Sequence, residues 1–193
     1  GVAELRSHIA SEHPDLPVVL IGHSMGGLIA VRTVLDAATD YQTLILTGPL
    51  LGVPTPPPAW QTWLLRTLSA LFPAAKALEI DASAVSRDQA VVDDYVADPL
   101  VHHDNIPART VVSLFDEASA VLGRASEISL PTLLLHGEED VLTSVPASRQ
   151  FMADLSATDK HITVYPGMYH ELFNEPEKED IIRTCLDWIA TRL

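Results

Sequence analysis

The sequence predicts an α/β fold: a parallel sheet with helices on both faces and a helical cap inserted between its strands. Three observations carry this expectation. Short apolar runs, several of them β-branched, alternate with helical patterns, and such alternation implies a parallel sheet with right-handed crossovers. One of those runs turns abruptly into a helix through Gly22-His23-Ser24-Met25-Gly26. A stretch of about 85 residues then passes without a strand signal, too long for a plain connection.

Taken in order, "GVAELRSHIASEHP" reads as the tail of an amphipathic helix. Val18 to Ile21 is short, β-branched and bounded by Pro17 and Gly22, which predicts a buried strand. Leu28, Ile29, Val31, Arg32, Val34 and Leu35 follow at helical spacing and predict a helix over about 25–38. A second strand is predicted at Leu44 to Thr47. Pro54, Pro56, Pro57 and Pro58 then form a stiff, extended linker. In "AWQTWLLRTLSALFP", Trp60, Trp63, Leu64, Leu68, Leu71 and Phe72 fall on one helical stripe that Pro73 ends. Another helical pattern, over about 108–125, leads back to the sheet. Strands at Thr132 to His136 and His161 to Tyr165 and helices over about 145–156 and 177–192 complete the chain. The implied organisation is a core segment 1–50, a cap insertion 51–126 and a second core segment 127–193.

Bulk properties exclude several functions. The 193 residues are 47% hydrophobic, which is globular and not disordered. A net charge of −14 argues against binding nucleic acid through phosphates or docking on anionic lipid by charge. No run approaches the ~18 apolar residues of a membrane span. The lone Cys185 excludes an intrachain disulfide and reads as core packing. No His/Cys/Asp set has metal-ligand spacing, so no metal site and no cofactor are predicted.

Gly22-x-Ser24-x-Gly26 at a strand-to-helix switch is the pattern of a nucleophile elbow, which lifts a serine Oγ clear of the sheet. Gly22 and Gly26 are expected to remove side chains that would clash in the turn. The backbone N–H of Met25 then points where an oxyanion would form. A serine needs a base, and the base an orienting acid. In this fold type they follow in the order serine, acid, histidine, on loops after later strands. The third strand runs into "HGEED", which offers Glu138, Glu139 and Asp140; spacing alone does not choose among them. The fourth runs into "YPGMYHE", which offers His170. His102 and His103 fall in the insertion, while His13, His136 and His161 lie in or beside strands and read as structural. His23, next to the serine, reads either as packing under the elbow or as part of a substrate site.

These residues resemble the monoacylglycerol lipases of the α/β-hydrolase fold, and the bacterial members most. "GHSMGG", "SRDQAVVDDYVADPLVHH", "LPTLLLHGEED" and "DKHITVYPGMYHELFNEPE" carry the resemblance nearly end to end. It implies a serine hydrolase that cleaves monoacylglycerols to glycerol and fatty acid. Ser24 is then the nucleophile, Asp140 the acid, His170 the base and Met25 N–H one oxyanion donor. Trp60, Trp63, Leu64 and Leu68, with His23, become candidates for the substrate site, and the cap stripe for transient contact with a lipid surface. The family carries a front section with a His-Gly loop that supplies the second oxyanion donor. Nothing in this chain matches it, so that section of the same protein is expected alongside strand 18–21, either as a second chain or as a segment outside this sequence. The competing readings are a lysophospholipase or general carboxylesterase, with the same chemistry, and an inactive fragment that serves as a binding module. A dehalogenase or epoxide hydrolase is disfavoured, because each needs a carboxylate where Ser24 stands.

Overall fold

The computed structural model describes all residues, Gly1–Leu193. Four parallel strands make its main sheet: β1 (Val19–His23), β2 (Thr43–Thr47), β5 (Thr132–Gly137) and β6 (Lys160–Tyr165), in the order β1-β2-β5-β6. The register aligns Val19 with Thr43, Leu44 with Thr132 and Thr132 with Lys160. All residues of β2 and β5 are buried, as continuous apolar runs in a sheet covered on both faces require. Period-two alternation divides their side chains. Leu44, Leu46 and Leu134 join α2 (Met25–Ala37), α5 (Ala108–Leu122) and α6 (Val145–Asp154) in the larger core, which includes Val31, Val121 and Phe151. Ile45, Leu133 and Leu135 meet α7 (Lys178–Ala190) through Ile181 and Cys185 on the other face. Burial there pushes the Cys185 thiol up to about 11.

Strand boundaries moved by one or two residues, and at β1 the shift matters. The ladder continues through Gly22 and His23, which pairs with Thr47. The strand therefore does not stop at Ile21. With α2 starting at Met25, the whole change from strand to helix falls on Ser24 alone.

The insertion holds more than the two helices expected. α1 (Val2–Glu12) precedes β1. Between β2 and β5 come α3 (Ala59–Leu71), β3 (Lys76–Leu78), α4 (Gln89–Ala97) and β4 (Ile106–Pro107), followed by α5. β3 and β4 pair antiparallel, so the segment is not free of strands. Their two or three residues, with Pro107 among them, are too short to leave a period in the sequence. α3 packs on α5, tied by the Arg66–Asp116 ion pair. The second half of α5 belongs to the larger sheet core through Ala118 and Val121.

Candidate active site

Ser24 has φ 52° and is the only non-glycine residue with positive φ. The sequence dictates this turn through its glycines. A Cβ on Gly22 would lie 2.6 Å from Gly26 O and 2.8 Å from Ala30 Cβ, and one on Gly27 would lie 2.7 Å from Pro49 Cβ. A Cβ on Gly26 would meet nothing within 4 Å. Close packing therefore requires Gly22 and Gly27, not Gly26, because α2 approaches the strand and Pro49 through Gly27. The Ser24 backbone is fixed on both sides: its N–H donates to Thr47 O at 3.1 Å, and its carbonyl accepts from Gly27, Leu28 and Leu50. Its side chain does not cap α2, which leaves Oγ free. Met25, first in α2 and exposed, has an N–H with no acceptor inside its helix.

Burial separates the three acids that spacing left open. Glu138 and Glu139 are exposed, whereas Asp140 is buried. Asp140 Oδ1 accepts the N–H groups of Leu142 and Thr143 at 2.8 and 2.9 Å. Its Oδ2 lies 2.7 Å from His170 Nδ1 and 2.7 Å from Thr143 Oγ1. Burial alone would raise the Asp140 pKa. Hydrogen bonds from His136, His170 and the Thr143 backbone outweigh it and hold the carboxyl well below the usual carboxylate range. Asp140 is thus a carboxylate aimed at the imidazole of His170, itself buried. Gly48, at φ 47°, makes this approach possible, since a Cβ there would press on His170 Nδ1 at 3.2 Å and Asp140 Oδ2 at 3.3 Å.

The His23 ring lies tilted against that of His170, at 49° between planes and 4.7 Å between centroids, and its Nδ1 lies 2.9 Å from Thr47 O. Burial and the neighbouring His170 lower its pKa. The structure thus brings His23, Asp140 and His170 together at the C-terminal ends of β1, β5 and β6, where open α/β sheets place their ligands. Ser24 directly follows β1. The bond between Ser24 Oγ and His170 is not closed, a contact that commonly tightens only with substrate. A chain with a carboxylate–imidazole pair beside a free, strained serine can activate that serine for attack on an acyl carbon.

The other predicted residues lie elsewhere. Trp60 and Trp63 on α3 are 65% and 68% exposed; Leu64 is exposed and Leu68 half-buried. The stripe is therefore not core packing in this chain. His102, His103, His13 and His161 are exposed and apart from the site. A cleft of about 520 Å³ between α1, α2 and α5 is lined by none of Ser24, Asp140 and His170.

Sequence reasoning missed how the histidine loop is anchored. Glu171 N–H donates to Val85 O at 2.8 Å, Ser86 Oγ to Asn174 O at 3.0 Å, and Arg87 N–H to Glu175 Oε1 at 2.9 Å. The Arg87 guanidinium also pairs with Glu175, whose side chain is fully buried, and with Glu177. The signal was present: "SRDQ" and "NEPE" each carry one half of the contact.

Comparison with known proteins places the chain in a family and a fold. The family described as Hydrolase_4, serine aminopeptidase S33, matches residues 2–177. The chain is 36% identical over 184 residues to a monoacylglycerol lipase of Mycolicibacterium smegmatis, covering 95% of this chain and 66% of that protein. It is 30% identical over 198 residues to a monoglyceride lipase of Rattus norvegicus, covering 100% and 65%. It thus spans slightly less than two thirds of these relatives. The crystal structure of Paleococcus ferrophilus monoacylglycerol lipase superposes with a TM-score of 0.85 at 30% identity, over 100% of this chain and 76% of that one. The sheet and its helices are those of the α/β-hydrolase fold.

Proposed function

The chain belongs to the family described as Hydrolase_4, serine aminopeptidase S33, and from its lipase relatives we propose a serine hydrolase that cleaves monoacylglycerols. The observation that carries the proposal is the 2.7 Å bond of His170 to buried Asp140, in a chain whose one strained residue is a serine at a strand–helix switch. Ser24 Oγ attacks the ester carbonyl while His170 Nε2 takes its proton. The oxyanion is held by Met25 N–H. His170 returns the proton to the departing glycerol oxygen, leaving an acyl-serine. Water, deprotonated by His170, attacks the acyl carbon and releases the fatty acid and Ser24. Asp140 stabilises the imidazolium in both halves.

Residues 51–126 serve as the cap in this reading, and the exposed stripe of Trp60, Trp63, Leu64 and Leu68 receives the acyl chain or rests on lipid. Tryptophan suits such an apolar–water boundary. With a net charge of −14, that contact is hydrophobic and is not weakened by salt. Polypeptide pairing with the outer side of β1 supplies the second oxyanion donor. Support comes from the position of β1 at the sheet edge and from relatives about half as long again as this chain.

Three measurements test the proposal. A fluorophosphonate probe should label Ser24; no labelling means a binding module. Monoacylglycerol should be hydrolysed in preference to lysophosphatidylcholine, and the reverse order would make the protein a lysophospholipase. Replacing Leu64 and Leu68 together by Ser should leave the melting temperature close to wild type and weaken use of long acyl chains. A large drop in melting temperature with unchanged chain-length preference would remove the stripe from the substrate site.

A further inference from the structure

Asp140 is approached by two imidazoles. His170 Nδ1 reaches Oδ2 at 2.7 Å, and His136 Nε2 lies 3.1 Å from the same oxygen. His136 is at the end of β5 with no solvent exposure, and its Nδ1 lies 3.0 Å from Oγ of Ser148 on α6, also fully buried. The hydrogen-bond inventory fixes the protons. A carboxylate oxygen only accepts, so the hydrogen sits on His136 Nε2, which faces Asp140 Oδ2 at 3.1 Å and Thr143 Oγ1 at 3.2 Å. With the hydrogen on Nε2, Nδ1 is the acceptor side of the ring, and the donor facing it is the Ser148 hydroxyl. Thr143 Oγ1, 3.2 Å from His136 Nε2, has acceptors of its own in Asp140 Oδ2 and Gly48 O. The protons therefore run Ser148 to His136 to Asp140 on one side, opposite His170 on the other.

We infer that His136, held in one tautomer by Ser148, is a positioning residue for the Asp140–His170 pair. This rests on the reading of Ser24, Asp140 and His170 as a triad. His136 anchors Oδ2 from behind and draws part of its negative charge away from His170. Without that donor, the carboxylate faces His170 with its charge less shared, and the imidazolium is favoured. The base then becomes neutral only at higher pH. Other ionisable groups facing His170 are His23 from β1, with ring centroids 4.7 Å away, and Glu171 from its own loop; neither is altered by changes at His136 or Ser148. The only ionisable group touching His136 is Asp140.

The experiment needs no knowledge of the substrate. The pH dependence of fluorophosphonate labelling is measured for the wild-type chain, His136→Leu, His136→Gln and Ser148→Ala. Two-dimensional ¹⁵N NMR of the histidine rings reads the tautomer directly. His136 should appear as a neutral ring protonated at Nε2. His136→Leu should move the acid limb of labelling up by about half a pH unit or more. His136→Gln, which keeps an N–H in reach of Oδ2, should restore it. Where His136→Leu does not fold, Ser148→Ala decides: it frees the tautomer and should move the limb in the same direction by less. Superimposable profiles for all folded variants, or a His136 ring protonated at Nδ1 or at both nitrogens, overturn the inference. A chain that never labels while His136 shows the Nε2–H tautomer defeats the hydrolase reading and leaves the buried hydrogen-bond arrangement standing.

Discussion

At Ser24 a side chain sits at φ 52°, a conformation that costs non-glycine residues about 1–3 kcal/mol. Ser24→Gly should relieve part of that cost and raise the melting temperature by about 2–4 °C, while abolishing fluorophosphonate labelling. Ser24→Ala should abolish labelling with the melting temperature unchanged, since Oγ caps nothing. A glycine variant that melts lower than wild type would mean the elbow holds no strain. His23 and Asp140 make two separable acid effects on stability. The pKa of His23 is lowered in the folded chain, so below its ordinary value near 6.5 the unfolded chain binds the extra proton. Stability is complete above that pH and falls as pH drops below it. His23→Gln should flatten this part of a stability–pH curve measured by denaturant titration. The carboxyl of Asp140 is also lowered; its contribution is complete above about pH 4 and lost below it. Ser24, Asp140 and His170 were legible as candidates because each lies on a turn or loop that follows a recognisable strand. The roles of His136 and Gly27 were not, because each depends on what a distant segment, Ser148 or Pro49, brings against it.

The elements differ in how plainly they announce themselves. α2, α6 and α7 show helical periods, and β2 and β5 read as continuous apolar runs between breakers. α4 was not read from the sequence: its helical pattern is weak, and its start rests on Asp88, whose side chain accepts from Ala90 N–H. β3 and β4 rest on pairing between residues some 30 apart, which no local pattern encodes. The contact between the insertion and the histidine loop is also tertiary, and it has an energetic consequence. Glu175 is buried with Arg87 as its cation, and removing one partner of such a pair leaves an uncompensated charge, at about 3–5 kcal/mol. Arg87→Met should fall at the low end, since Arg87 is 31% exposed. Adding Glu175→Gln removes the stranded charge and keeps an acceptor for Arg87 N–H, so the double variant should recover part of the loss. Urea melts of the four proteins form the cycle; a strictly additive result would show that the pair is not coupled.

For the molecule as a whole, the strand order matters most. The serine follows β1 at one rim of the sheet, the histidine follows β6 at the other rim, and the carboxylate follows buried β5. Rim strands open locally at lower free energy than the centre. The three groups therefore lie on parts of the sheet that fray independently, and loss of either rim breaks the constellation while the middle persists. On slow heating, labelling of Ser24 should fail several degrees before far-ultraviolet circular dichroism changes. Amide exchange should be faster at Val19–Ile21 than at Leu44–Leu46. Coincident loss of labelling and ellipticity would show a sheet that opens as one unit. A strand added along β1 would delay both events and narrow the gap between them. On the serine-hydrolase proposal, labelling thus works as a thermometer of the sheet's weakest margin, and it stops at a lower temperature than the one at which this chain unfolds.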